Sequence, residues 1–224
     1  MTALCVVAGS CGGTTAERPD IARTRPDGAT LACPRPFEPM PANACLAVPE
    51  RFDDPRRLIV FFPGMRLPLT TGSADDLREM AAGATARGYA VLAVFGEPGL
   101  CDWSADVQRF LCFPAGDRHL ARVGGFLQRL GELLPAVSRR VRSPLGPPLL
   151  AGFSNGGFFV ALLAAKTQLA AAGYAIVHGG VPDGPIAFPR SRARPTILLA
   201  AHDDTFQLAK MQQLSERLNR RLGP

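Results

Sequence analysis

The sequence predicts an α/β fold in which a doubly wound, mostly parallel sheet carries helices on both faces. Short continuous apolar runs, such as LIVFF at 58–62, are typical of strands buried on both faces of a parallel sheet. These runs alternate with segments of helical periodicity. One run ends in Gly-x-Ser-x-Gly, and a helix-like segment follows it at once. With 224 residues, one domain is expected.

The elements follow from these patterns in chain order. A capping box at Ser73 begins a helix that reaches about Arg87, and a buried strand covers 89–95. Apolar residues from Leu120 recur at helical spacing and predict a helix that Pro135 stops. After the Gly-x-Ser-x-Gly turn we expect a helix over 156–172. Strands at 174–177 and 196–201 follow, and a last helix carries the final apolar repeat.

The segment at 149–159 has the pattern of a nucleophile elbow, a strand and a helix joined by a sharp turn that carries Ser154. A side chain at either flank of so tight a turn would collide, and Gly152 and Gly156 remove those side chains. The helix that begins near Asn155 directs its free N–H groups toward the serine, where negative charge can be stabilised. An ordinary glycine-rich strand-to-helix turn is the alternative.

The strings AGFSNGGF, LIVFFPG and ILLAAHDDTF together resemble the α/β-hydrolase superfamily. Within it, the chain is similar to the secreted, polyhydroxybutyrate-depolymerase-like esterase branch, where G-x-S-N-G-G is common. GLCDWS at 99–104 and Gly116-Asp117 also resemble that branch, and the resemblance covers about residues 45–222. It implies a serine hydrolase that cleaves carboxylic esters through an acyl-enzyme on Ser154, without a metal or an organic cofactor.

The resemblance also implies the groups around Ser154. The oxyanion donors are the backbone N–H groups of Asn155 and of Met65, although Pro63 replaces the histidine usual in that loop. The triad acid is Asp204, with Asp203 as the runner-up, and both residues can also be read as caps of the last helix. Peptidase and dienelactone-hydrolase chemistry are less consistent with this length and with a serine at the elbow.

The catalytic base is the one triad residue for which these residues offer no match at the family's usual position. The family places it after an eighth strand, and this chain stops in the helix after the strand at 196–201. We therefore expect a strand and a Gly-x-His-type loop beyond residue 224. The alternative is a triad inside these residues, with His178 or His202 as its base, whereas His119 lies in the wrong region. A further alternative is a non-catalytic or truncated protein of this fold that acts as a binding module.

Charge and hydropathy limit the kinds of partner that we expect for this protein. The net charge is +6, but the arginines are scattered and form no basic stripe, so nucleic-acid binding is not expected. No stretch has the roughly 18 consecutive apolar residues of a transmembrane span. Trp103 lies in a long loop over 96–118, where it either lines a substrate pocket or covers the core. The sequence does not indicate an oligomeric state.

The N-terminal region suggests export. Residues 1–13 resemble the end of a signal peptide, and Cys11 is a loose match to a lipidated cysteine that would anchor the protein. We divide the chain into a leader and linker at 1–28 and a hydrolase domain at 29–224, whose C-terminal end we expect to be incomplete. The spacing of four cysteines favours local disulfides, Cys33–Cys45 and Cys101–Cys112, among three pairings, over reduced cysteines of a cytosolic protein. These features predict a secreted, periplasmic or cell-surface bacterial protein.

Overall fold

The structure is a computed structural model, which describes residues 2–7, 33–54, 56–68, 74–166, 169–184, 188 and 194–222. Its elements in chain order are β1 (Thr2–Val7), β2 (Glu38–Met40), β3 (Ala44–Ala47), β4 (Leu58–Phe62), α1 (Asp75–Thr85), β5 (Ala90–Val94), α2 (Leu120–Val141), β6 (Leu149–Phe153), α3 (Asn155–Lys166), β7 (Gly173–Val177), β8 (Thr196–Ala201) and α4 (Thr205–Leu222). Two short 3₁₀ turns lie in the loop between β5 and α2.

The eight strands form one sheet in the order β1-β8-β7-β6-β4-β5-β3-β2. The pairs from β1 to β5 are parallel, and β3 and β2 add an antiparallel edge. This confirms the predicted doubly wound, mostly parallel sheet. The chain runs outward from β4 to β5 and then returns to β6 on the other side of β4. At such a switch point the carboxyl ends of β4 and β6 open a crevice, which is where sites form in these sheets.

The strand beside β8 comes from the N-terminus. β1 pairs parallel to β8, from Thr2 opposite Thr196 to Val7 opposite Ala201. It occupies the edge at which we expected a further strand from beyond residue 224. A short apolar run is compatible both with a signal segment and with a buried strand, and residues 2–7 are part of the sheet here. The boundary at residue 28 and the export signal stay predictions, and Cys11 lies outside the described residues.

The prediction that Pro135 stops a helix is wrong. α2 continues through Pro135 to Val141 and ends at Arg142, which has a left-handed backbone. Pro135 is solvent-exposed, so the hydrogen bond that it cannot donate leaves a carbonyl that water can reach. Val137, one turn after Leu133, is fully buried on the same apolar stripe. Burial of that stripe offsets the cost of the proline.

The other predicted elements are confirmed, with ends that differ from the predicted ones. α1 covers 75–85, and Ser73 of its predicted capping box lies outside the described residues. α3 begins at Asn155 and ends at Lys166, earlier than predicted. α2, α3 and α4 contribute to the core on one side of the sheet, and α1 contributes to the other.

Both predicted disulfides are present, Cys33–Cys45 and Cys101–Cys112, each with 5.7 Å between the Cα atoms. The first joins the segment before β2 to β3. The second closes the loop between β5 and α2. Among the helices that the structure describes, none combines the length and the apolar character needed to span a membrane.

Candidate active site

Ser154 lies at the turn between β6 and α3 with a left-handed backbone, at φ 51°. Its N–H donates to the Val177 carbonyl at 2.9 Å, and its carbonyl accepts the N–H of Phe158 at 3.1 Å. A non-glycine residue in this conformation is strained and is retained where the surroundings impose it. Ser154 is therefore the single residue that connects the end of β6 to the start of α3.

The glycines on both sides of Ser154 are required by close backbone approach. A Cβ at Gly152 would overlap the carbonyl of Gly156. A Cβ at Gly156 would overlap the carbonyl of Phe62, at the end of β4. The elbow is therefore pressed against the carboxyl end of β4, as the turn geometry requires.

The loop after β4 reaches Ser154. A Cβ built at Gly64 would lie 3.3 Å from the Ser154 Cβ and 3.2 Å from the Phe153 ring. Met65, the next residue, is 38% exposed. The first N–H groups of α3, beginning with Asn155, precede the first bond within the helix and have no helical carbonyl to pair with. Both predicted oxyanion residues thus lie on backbone segments beside the serine.

The side chain of Asn155 has a role that the sequence did not reveal. It is 9% exposed, and its Oδ1 accepts the Phe113 N–H at 2.7 Å. Its Nδ2 donates to the Phe113 carbonyl at 3.3 Å. The two residues are 42 positions apart, and no local pattern predicts such a contact.

His178 follows directly after β7 and has a left-handed backbone, at φ 48°. In the sheet Phe153 lies opposite Val177, so Ser154 and His178 are the next residues on adjacent strands. Parallel strands are about 4.8 Å apart. The Phe153 and His178 rings contact each other with centroids 5.7 Å apart. Of the three histidines, His178 is the one that the sheet places beside the serine.

The imidazole of His178 lies between β8 and Asp204. Its Nδ1 is 3.6 Å from Asp204 Oδ2. Its Nε2 accepts the Ala201 N–H at 3.1 Å, where a backbone carbonyl would otherwise continue the ladder. A neutral imidazole that accepts at Nε2 carries its proton on Nδ1, which faces the carboxylate. This is the tautomer that a general base for a serine needs. In this structure, however, the Nε2 lone pair that would take the serine proton accepts the Ala201 N–H.

Asp204 has two contacts that fix its position. Besides facing His178, its Oδ1 accepts the Gln207 N–H at 3.0 Å and so caps α4. With its amide oriented to satisfy both neighbours, the Gln207 side chain donates to the carbonyls of His178 (3.1 Å) and Gly179 (3.0 Å). The first turn of α4 therefore holds both members of the His178–Asp204 pair.

The other candidate residues are placed differently. His202 and Asp203 are both solvent-exposed. His119 lies before α2 with its Nε2 3.4 Å from Asp102 Oδ2. Trp103 is 57% exposed and so does not cover the core.

Apolar side chains are exposed around the elbow. Phe153 is 42% exposed and Phe206, two residues after Asp204, is 65% exposed. Met65, Phe153 and Phe206 each lie at the carboxyl end of a strand or within five residues after it, and we call these three residues the apolar rim. Among the described residues, no group of three or more His, Cys, Asp or Glu side chains is placed to hold a metal ion.

Comparison with known proteins gives structural relatives. No family model and no curated protein matches the sequence. Similar solved structures include the Bacillus cereus carboxylesterase, at 16% identity and TM-score 0.57 over 80% of this chain and 79% of that one. TT1662 from Thermus thermophilus is 21% identical, with TM-score 0.55 over 83% of each chain. MGS-M1, an α/β-hydrolase enzyme from a deep-sea metagenome of the Medee basin, is 15% identical, with TM-score 0.51 over 81% and 73%.

These similarities concern the fold, because the identities are low. The resemblance to the polyhydroxybutyrate-depolymerase-like branch stays a prediction. The chain has the fold of the α/β-hydrolase superfamily.

Proposed function

We propose that the protein is a serine hydrolase that cleaves carboxylic esters through an acyl-enzyme on Ser154. The observation that carries this proposal is the backbone of Ser154, held at φ 51° between a buried strand and the N-terminus of α3. Backbone strain of this kind clusters at active sites. Here it presents a hydroxyl at the switch point of the sheet, beside backbone N–H groups that no helix carbonyl occupies.

In this proposal His178 is the general base and Asp204 orients it. When Ser154 Oγ attacks the ester carbonyl, its proton passes to His178 Nε2, and the imidazolium is stabilised by the Asp204 carboxylate. His178 then gives the proton to the departing alcohol as the ester C–O bond breaks. Water hydrolyses the acyl-enzyme by the same proton transfers.

His178 has to release one hydrogen bond before it can act. Its Nε2 accepts from the Ala201 N–H, so the ring must turn toward Ser154 to receive the proton. A neutral hydrogen bond is worth about 0.5–1.5 kcal/mol net, which is small beside a catalysed barrier. Catalytic hydrogen bonds are often poorly aligned without substrate.

The backbone N–H groups of Met65 and Asn155 form the oxyanion hole in this proposal. They lie on the loop after β4 and at the start of α3, and Gly64 brings that loop against Ser154. Charge that develops on the carbonyl oxygen is stabilised there by fixed dipoles, and one such donor is worth about 10²–10³ in kcat.

Two further features support the proposed ester substrate. The apolar rim of Met65, Phe153 and Phe206 favours an ester with an apolar acyl or alcohol group. The carboxylesterase among the structural relatives is consistent with an ester substrate.

The two disulfides support a secreted or periplasmic protein, because disulfides persist in oxidising compartments. A lipid anchor at Cys11 stays a prediction.

A second candidate function is a non-catalytic binding module. One observation favours it: the Nε2 of His178 pairs with the Ala201 N–H and extends the contact between β7 and β8. In that case His178 is a structural residue, and the site holds esters or other carbonyl compounds without cleaving them.

Hydrolysis of p-nitrophenyl esters distinguishes the two functions. We expect turnover by the wild type and a loss of at least ~10³-fold in kcat for Ser154→Ala. Ser138→Ala is the matched control, because Ser138 lies near the end of α2, where its Oγ donates to the Ser143 carbonyl. Equal rates for the wild type and Ser154→Ala would refute the proposal.

A further inference from the structure

Three consecutive residues, 111–113, link the elements around the elbow; we call them the 111–113 strap. Leu111 exchanges two backbone hydrogen bonds with Arg66, which follows Met65 in the loop after β4, at 2.7 and 3.4 Å. Cys112 exchanges two with Glu97, just beyond β5, at 2.8 and 3.0 Å. The strap therefore joins the loop after β4 to the end of β5.

The third residue of the strap is held by a side chain instead of a backbone. Phe113 uses its N–H and its carbonyl, and both pair with the amide of Asn155, at 2.7 and 3.3 Å. The amide accepts one hydrogen bond from Phe113 and donates another to it, as the backbone of a neighbouring strand would. It belongs to the residue directly after Ser154, so this side chain ties the strap to the elbow.

The strap is packed tightly against the core. All three residues are buried. The Phe113 ring lies 5.5 Å from Phe62 and 5.2 Å from Phe159, so it packs against both β4 and α3. A Cβ at Gly96 would overlap the Cys112 carbonyl, so the segment directly after β5 approaches the strap as closely as two backbones allow. The disulfide to Cys101 closes the loop before the strap.

We infer that the Asn155 side chain is a positioning residue that sets the separation between the two oxyanion N–H groups. One group, on Met65, is attached to the strap through Arg66. The other, on Asn155 itself, is attached through the amide contact with Phe113. The inference rests on the proposed function, because it assigns a role in the same oxyanion hole.

The geometry explains why this contact affects the chemical step. An oxyanion donor must lie 2.7–3.1 Å from the oxygen in the transition state. Without the amide, the Phe113 N–H and carbonyl lose their partners, and the strap can shift relative to α3. A small displacement of one donor weakens binding of the transition state more than binding of the ground state. The loss is therefore expected in kcat.

The test compares Asn155→Ala and Asn155→Ser with Val137→Ala. Asn155→Ala removes both hydrogen bonds, and Asn155→Ser keeps a hydroxyl that can satisfy one of the two Phe113 groups. Val137 is fully buried near the end of α2, so its truncation weakens the fold without touching the strap. For each variant one measures kcat and KM with a p-nitrophenyl ester, the rate of labelling by a fluorophosphonate, and urea unfolding.

The expected result is a split between kcat and KM. Asn155→Ala lowers kcat by about 10–100-fold with KM within about threefold, and labelling slows in parallel. Asn155→Ser lies between it and the wild type, and Val137→Ala keeps the wild-type kcat. If Asn155→Ala does not fold, the kcat of Asn155→Ser decides in the same way.

Two outcomes overturn the inference. One is a wild-type kcat in the folded Asn155 variants, and the other is a change confined to KM. Failure of the proposed function is separate, because then the wild type itself neither hydrolyses the ester nor is labelled.

Discussion

His178 and Asp204 face each other across the carboxyl ends of β7 and β8, with Nδ1 3.6 Å from Oδ2. Each is fixed from a second direction: the Ala201 N–H donates to His178, and Asp204 accepts from Gln207 at the start of α4. The pair lies beside Ser154 because β6 and β7 are neighbours in the sheet. A base at the end of β7 does not require a histidine after a further strand.

The first prediction concerns the base. His178→Ala should lower kcat/KM by about 10²–10⁴-fold, because the serine proton then has no acceptor. His202→Ala is the matched control and should stay close to the wild type, since His202 is solvent-exposed. Steady-state ester hydrolysis measures both. A reversed ranking, with His202→Ala the inactive variant, would exclude His178 as the base.

The second prediction concerns Asp204. Asp204→Asn should lower kcat by about 10–10⁴-fold, because the imidazolium loses its counter-charge. Its unfolding free energy should change little, since Asn is as good a helix cap as Asp. Asp204→Ala should in addition lose about 1 kcal/mol of stability with the cap. Asp203→Asn serves as the control, and if it is the more damaging change, Asp203 is the triad acid.

The third prediction concerns the elbow glycines. Gly156→Ala should destabilise the protein by several kcal/mol or prevent folding, because its Cβ would overlap the Phe62 carbonyl. Gly124→Ala, in α2, has nothing within 4 Å of the new Cβ and should stabilise by about 0.5–1 kcal/mol. Urea denaturation compares the two. Equal stability of both variants would show that β4 is not pressed against the elbow.

The fourth prediction follows from the helix that continues through Pro135. Proline in a helix interior costs about 3 kcal/mol relative to alanine, and Pro135 is exposed on α2. Pro135→Ala should therefore raise the unfolding free energy by about 1–3 kcal/mol, with unchanged ester hydrolysis. A loss of stability would mean that α2 ends near Pro135 in solution.

The sequence could predict what depends on local pattern. The apolar runs of β4, β5 and β8 and the Gly-x-Ser-x-Gly turn are each encoded in a few neighbouring residues. The disulfides were predicted because their cysteines are close along the chain.

The rest depends on contacts between distant segments. The pairing of Thr2–Val7 with β8 joins the two ends of the chain, and the Asn155–Phe113 contact spans 42 positions. The continuation of α2 beyond Pro135 depends on burial of Val137, which overrides a local signal. The His178–Asp204 pair depends on the strand order, which places β7 beside β8 and which no local sequence pattern encodes.

Active-site labelling tests the central claim most directly. The folded 224-residue protein is incubated with a fluorophosphonate, and the adduct is located by peptide mass spectrometry, beside Ser154→Ala and His178→Ala. The account predicts one adduct, on Ser154, that is absent in Ser154→Ala and forms far more slowly in His178→Ala. A folded protein without an adduct, or with an adduct on another residue, would contradict it.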